Sequence, residues 1–177
     1  MINIREYFRQ FLRDERATAT IEFVIVFPIV IILFIAVFET SMILTRQVLL
    51  EKSLDSAVRI LRLTSDLTTT DAEVRTNICA NTIILHNCEA LLVVDLRLID
   101  TVNYDLPDCE SLCVNRATSF TPSTQFQQGE SNDLMLVRVC AVVDRILPFS
   151  GFGLNMTRDD SGGMHMMASS IFVVEPR

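Results

Sequence analysis

Residues 23–38 read FVIVFPIVIILFIAVF, sixteen consecutive positions without a charge or a hydrogen-bonding side chain. Extension to Ile21 and Leu44 gives a stretch interrupted only by Glu22, Glu39, Thr40 and Ser41. As a helix rising 1.5 Å per residue it is roughly 36 Å long, enough to cross a hydrocarbon core of about 30 Å. A core helix of a soluble protein keeps a polar face, and this one is apolar all round. Sixteen such residues contribute about −5 to −9 kcal/mol to insertion. The run is followed by ETSMILTRQVLLEK, which has no small-x-small cleavage site, so a secretory signal is not expected. The pattern predicts one transmembrane helix over 18–45.

The rest of the chain bounds the class. Half of the 177 residues are apolar and 21% are charged, which excludes intrinsic disorder. The net charge of −7 offers no electrostatic footprint for nucleic acid. Residues 1–16 are mildly basic, with Arg5, Arg9, Arg13 and Arg16 against Glu6, Asp14 and Glu15. Residues 63–177 hold 7 basic and 15 acidic residues. Basic residues flank the apolar run equally, so they do not orient it: Arg46, Lys52, Arg59 and Arg62 balance the four N-terminal arginines. All five cysteines follow the run. Disulfides persist in oxidising compartments such as the periplasm, which puts residues 46–177 outside and residues 1–17 in the cytoplasm.

The junction before the apolar run carries the most specific pattern. Small residues occupy 17–20 (Ala-Thr-Ala-Thr), and Glu22 sits just inside the run, followed by Phe23. A carboxylate there costs on the order of 1–3 kcal/mol if unpaired, so it either lies at headgroup level or has a function. The sequence RATATIEFVIVFPIVIILFIAVFE resembles the N-terminal signature of type IV pilin-like proteins, and most closely the TadE family of minor pilins (pseudopilins) of the tight-adherence, or Flp, pilus systems. Ala17, Glu22-Phe23, Pro28 inside the run and Glu39 at its end carry the resemblance. The tail ASSIFVVEPR and the segments around Cys79 and Cys88 are similar to that family too.

That resemblance implies a prepilin peptidase that cuts between Ala17 and Thr18 and removes a cytoplasmic leader, residues 1–17. Where pilins most often carry glycine before the cut, this chain has Ala17. The cut would leave an α-amine at Thr18, largely cationic at neutral pH. Residues 18 and 22 are i and i+4 on a helix. Glu22 could therefore pair with that amine or with a neighbouring subunit's, and set the register between packed helices. Pro28 removes a backbone hydrogen bond and predicts a kink or local unwinding. Glu39 is expected to mark the outer interface.

Beyond the membrane, residues 46–63 continue at helical spacing, with an apolar stripe of Leu50, Leu54, Ala57, Val58 and Leu61. Thr70-Asp71-Ala72-Glu73 is a capping-box pattern that opens a second helix running to about Leu85. Residues 91–101 alternate, with Leu92, Val94, Leu96 and Leu98 inward and Asp95 and Arg97 outward. Residues 134–146 suit a central strand, residues 168–174 form a third, and Gly162-Gly163 signals a turn. Residues 103–133 read as a long polar excursion. The expected fold class is α+β: a long N-terminal transmembrane helix continuing into a periplasmic head, 46–177, with a second helix and a small antiparallel sheet, the pilin-like plan.

The disulfide candidates are Cys79 with Cys88 and Cys109 with Cys113, leaving Cys140 as a buried thiol. Sequence alone does not settle the connectivity. His86, Cys79, Cys88 and Cys109 match no zinc spacing, and no phosphate loop, nucleophile elbow or Cys-x-x-Cys occurs. Neither a metal, a cofactor nor enzymatic activity is expected. The resemblance implies a single-pass protein of the bacterial inner membrane, with the extracellular pilus as a further destination. Its partners would be membrane lipid, the prepilin peptidase, a major Flp-type pilin, a second minor pilin and the assembly platform. The role would be to prime, cap or anchor a Flp-type filament. A membrane-anchored periplasmic binding or sensor subunit that is not processed is the alternative.

Overall fold

The computed structural model describes residues 18–63, 69–82, 87–103, 106, 112–118, 120–145 and 157–176. Helix α1 runs from Thr18 to Leu63 without interruption. Its 46 residues contain no glycine, and its one proline, Pro28, lies inside the helix. The helix continues through Pro28 without a break. Past the apolar run, Leu50, Leu54, Ala57, Val58 and Leu61 are all buried. Their spacing keeps them on one face, which the head covers.

Helix α2 (Asp71–Asn81) opens on the predicted capping box: Thr70 Oγ1 accepts the Glu73 amide and the Glu73 carboxylate accepts the Thr70 amide. Such a cap contributes about 1 kcal/mol. The helix is shorter than expected. Thr82 ends it, its hydroxyl donating to the Ile78 carbonyl at 2.6 Å, and the predicted stretch to Leu85 lies largely outside the described residues. A single turn, α3 (Cys88–Leu91), then delivers the chain into the sheet.

Strands β1 (Leu92–Leu98), β2 (Leu134–Val143) and β3 (Met164–Val173) form an antiparallel sheet in the order β1-β2-β3. The most apolar strand takes the centre, as two covered faces require. Strand β3 starts four residues before the predicted position because Met164 and Met166 are core residues, both almost fully buried. One face carries rows such as Leu92–Ala141–Met166 and Val94–Val139–Ala168 against α1 and α2. Helix α1 runs alongside β3 in the same direction. Gln47 Nε2 donates to the Met167 carbonyl at 2.9 Å near one end, and the Glu175 amide donates to the Arg62 carbonyl at the other.

The other face is not bare. Leu112 and Cys113 from the excursion cover Val93, Cys140 and Val142. Residues 125–127 return along the β1 edge, where Leu96 donates to the Gln125 carbonyl and accepts from the Gln127 amide. Asp95, read from the alternation as outward and solvated, is fully buried beneath this returning segment. Alternation sets which face a residue occupies, and here the excursion roofs that face.

Cys79 is bonded to Cys88, which ties α2 to α3. Cys113 is bonded to Cys140, not to Cys109, so Cys140 is no free thiol. The reason is packing: Cys140 faces the roofed side of the central strand, where Cys113 arrives, with Cα atoms 5.3 Å apart. Cys109 lies outside the described residues. The loop-entropy relation gives about 3–4 kcal/mol for the 27-residue separation and about 2–3 kcal/mol for the 9-residue one. Paired serine replacement at Cys113 and Cys140 should therefore destabilise the head more than replacement at Cys79 and Cys88. Urea midpoints of the two variants in detergent measure the order.

Candidate functional site: the N-terminal helix and its junction with the head

The functional candidates named from sequence lie on α1. From Thr20 to Phe34 every residue is exposed, on all sides of the helix. Phe34 is 69% accessible and Ile32 65%, so none of the described residues folds back over them. Burying such a side chain is worth about 1.5–3 kcal/mol, and the chain leaves more than a dozen unburied. The helix is long and apolar enough to cross a membrane, which is consistent with membrane anchoring.

Glu22 and Phe23 stand exposed in the first turns of α1, and the Phe23 ring meets Phe27 at 5.1 Å between centroids. Thr18 is the first residue of the helix, so the i, i+4 relation to Glu22 holds along the backbone. Ala17 lies outside the described residues. Pro28 lies in the middle of the exposed stretch.

Glu39, at the end of the apolar run, is 1% accessible, covered by its own chain. The cover begins one turn earlier, where Ile35 and Ala36 become half-buried. Thr40, Ser41 and Thr45 return their hydroxyls to the carbonyls of Ala36, Val37 and Ser41, so these three are satisfied on the helix itself. Next come the contacts that fix the head. Arg46 donates to the Asp144 carbonyl at 2.9 Å, and Gln47 reaches Met167. The structure thus places Glu22, Phe23 and Pro28 together on an uncovered rod and separates Glu39 from them by burial.

Two charged clusters inside the head escaped the sequence reading. Asp95 accepts from Arg138 at 2.7 Å, from Arg97 at 2.9 Å and from the Gln125 amide at 3.0 Å. Burial pushes its carboxyl up, and the Gln125 amide, Arg138 and Arg97 more than offset this, holding it below the ordinary value. The signal was Arg138 itself: a charge inside an otherwise apolar central strand requires a buried partner. The second cluster joins the roof to the turn before β3. Arg116 bridges Asp159 at 2.7 Å and Asp144 at 2.8 Å, and both partners raise its pKa. Asp159 also accepts from Ser161 and from the Gly163 amide. A side chain on Gly163 would overlap Arg116 and Val142, which explains glycine there.

These clusters fasten segments together. Among the described residues, no set of three or more His, Cys, Asp or Glu side chains could hold a metal ion. A depression of about 150 Å³ between α1 and α2 offers one carboxylate, Glu73, already committed to the helix cap. The family model described as TadE-like protein matches residues 17–59. This part of the chain is TadE-like. The TadE-like match spans the uncovered rod, the junction and the first head-packed turns. No curated protein and no solved structure matches the chain.

Asp159 gives the head an acid limit. Burial raises its carboxyl, but Arg116, Ser161 and the Gly163 amide bring it down to about 2, from an ordinary 3.8. A carboxyl lowered on folding stabilises the fold fully above its unfolded value. That contribution, on the order of 2 kcal/mol, is lost as pH falls from about 4 through about 2. Burial also lowers His165, whose neutral form the fold prefers, so its contribution declines on acidification too. Acid titration followed by circular dichroism should show a shallower loss between pH 4 and 2 in Asp159→Asn than in the parent chain.

Proposed function

We propose that the protein is a minor pilin, or pseudopilin, that primes, caps or anchors assembly of a Flp-type adhesive pilus through its N-terminal helix. The observation that carries this reading is the unbroken rod α1. Its first half is apolar and uncovered, and its second half is built into a disulfide-bonded head. Outside water, such a rod has two homes of matching polarity: lipid, or a bundle of equally apolar helices. A subunit that passes from one to the other needs this surface all round, and the TadE-like match covers it.

In this reading residues 1–17 are a cytoplasmic leader, removed by a prepilin peptidase between Ala17 and Thr18. The head is periplasmic, which the two disulfides support, because such bonds persist in oxidising compartments. The major pilin, a second minor pilin and the assembly platform are its partners. The trimmed amine at Thr18 and the carboxylate of Glu22 lower each other's desolvation cost in an apolar bundle, within one chain or between neighbours.

Intact-mass measurement of the membrane form tests the processing step. The expected result is loss of residues 1–17, with Thr18 as the new N-terminus. Retention of the leader would sink the pilin reading in favour of an anchored periplasmic binding or sensor subunit. Glu22→Gln tests the pairing separately: it should lower co-purification with pilus components while leaving the amount in the membrane unchanged. Equal recovery would remove Glu22 from the mechanism.

A further inference from the structure

We propose that the open edge of β3, from Ser169 to Val173, is a strand-addition site that takes an extended segment of a different protein. Backbone direction is the first argument. The His165 amide donates to the Thr157 carbonyl at 3.0 Å, and the Met167 carbonyl accepts from Gln47 at 2.9 Å, both on the side of β3 away from β2. Backbone groups alternate sides along a strand, and the β2–β3 register runs unbroken from Met164 to Val173. The N–H and C=O groups of Ser169, Ile171 and Val173 therefore point away from β2 as well. Val174 agrees, since its amide turns to the β2 side and donates to the Asp133 carbonyl. Among the described residues, nothing bonds the outward groups of Ser169, Ile171 and Val173, and all three residues are exposed.

Other stretches of the sheet margin are closed. Residues 125–127 bond to the β1 edge at Leu96, Thr157 bonds to the start of β3, and Gln47 caps Met167. Proteins blunt an exposed edge with lysine, proline or a bulge. The strand MHMMASSIFV has none of these. On the outer sheet face its open end is apolar: Ile171 is 54% accessible and Val173 43%, beside Leu136 and Leu134 of β2. An added strand extends the row Arg97–Leu136–Ile171 and covers both exposed side chains. Main-chain hydrogen bonds hold such a strand, and its alternate side chains select it. The segment that fits is an alternating one, with apolar residues beside Ile171 and Val173.

Rod direction is the second argument, and it excludes a second copy of this chain. Helix α1 runs with β3, since Gln47 meets Met167 and Arg62 meets Glu175. Two β3 edges paired antiparallel would send the two rods in opposite directions, which copies anchored in one membrane from one side cannot do. Two such edges paired parallel, level with one another, would set N–H against N–H. This exclusion rests on the membrane-spanning role of α1; the open edge does not.

Amide exchange of the purified full chain in detergent tests the edge. The amides of Ser169, Ile171 and Val173 should exchange about tenfold or more faster than those of Ser170 and Phe172, which face β2. Equal protection would mean a closed edge and overturn the proposal. A photo-crosslinker placed in turn at Ile171, at Val173 and at the 83% accessible Val102 tests the occupant in membranes of the producing cell. Adducts from Ile171 and Val173 should fall in one segment of one different protein, at positions two apart, and Val102 should not reach that segment. Adducts with a second copy, adducts at scattered positions, or none would overturn it. Ile171→Pro deletes an outward N–H and leaves the β2 ladder whole, so it should abolish the Val173 adduct, while Ile171→Val should keep it. An adduct that survives Ile171→Pro would also overturn strand addition. None of these readouts depends on removal of residues 1–17, so the proposal stands or falls apart from the pilin reading.

Discussion

The apolar half of α1 cannot be satisfied by the chain that carries it. About fifteen residues present their side chains in every direction, and the head, attached at one end, can cover only the last turn of them. Hydrophobic burial is proportional to area and indifferent to partner. The rod therefore demands an apolar environment without specifying which one. Specificity must come from the few polar groups near its ends. Glu22 stands exposed at one end and Glu39 is buried at the other. One carboxylate is thus offered to the surroundings, and the other is withdrawn into the protein.

The head solves a different problem. Three strands and two helices bury a modest core, and small domains bury a smaller share of their surface. This one adds fasteners that link segments far apart in sequence. The Cys113–Cys140 bond and the Arg116 bridges hold the same roof segment to two places: the central strand, and the turn before β3. Asp95, with Arg138 and the Gln125 amide, holds the returning segment to the β1 edge. Buried ion pairs are weak net contributors to stability but costly to break on one side. They pin an excursion that has few apolar side chains with which to pin itself.

What could be read from the sequence follows this division. The rod, the stripe from Leu50 to Leu61, the capping box at Thr70 and the central place of β2 are all written in local periodicity or in single-residue chemistry. The roof is not. Nothing within 112–127 announces that it lies across the sheet, because the residues it bonds there lie 27 or more positions away and none repeats with a period. The Cys113–Cys140 pairing and the burial of Asp95 were missed for this one reason. Arg138 was the legible clue, since a guanidinium in the middle of LMLVRVCAVV can persist only beside a carboxylate. The burial of Glu39 was illegible for a related reason: helix arithmetic gives its place along the rod, and only tertiary contact tells that the head covers it.

The continuity of α1 ties the two halves mechanically. Between Pro28 and Leu63 the helix has neither glycine nor a second proline, and Arg46, Gln47 and Arg62 bond it to β2, β3 and the chain just after β3. A displacement of the rod along its axis must carry the head with it, because no hinge lies between them. Raising the rod out of lipid forfeits insertion energy of about −5 to −9 kcal/mol for the apolar run. Under the proposed pilin role, the receiving bundle must supply apolar contact over the same length before the transfer is complete, so the energetically favoured path keeps part of the rod in lipid while the rest is already packed. A rod uncovered on every side permits this, since whichever face meets the bundle first is apolar.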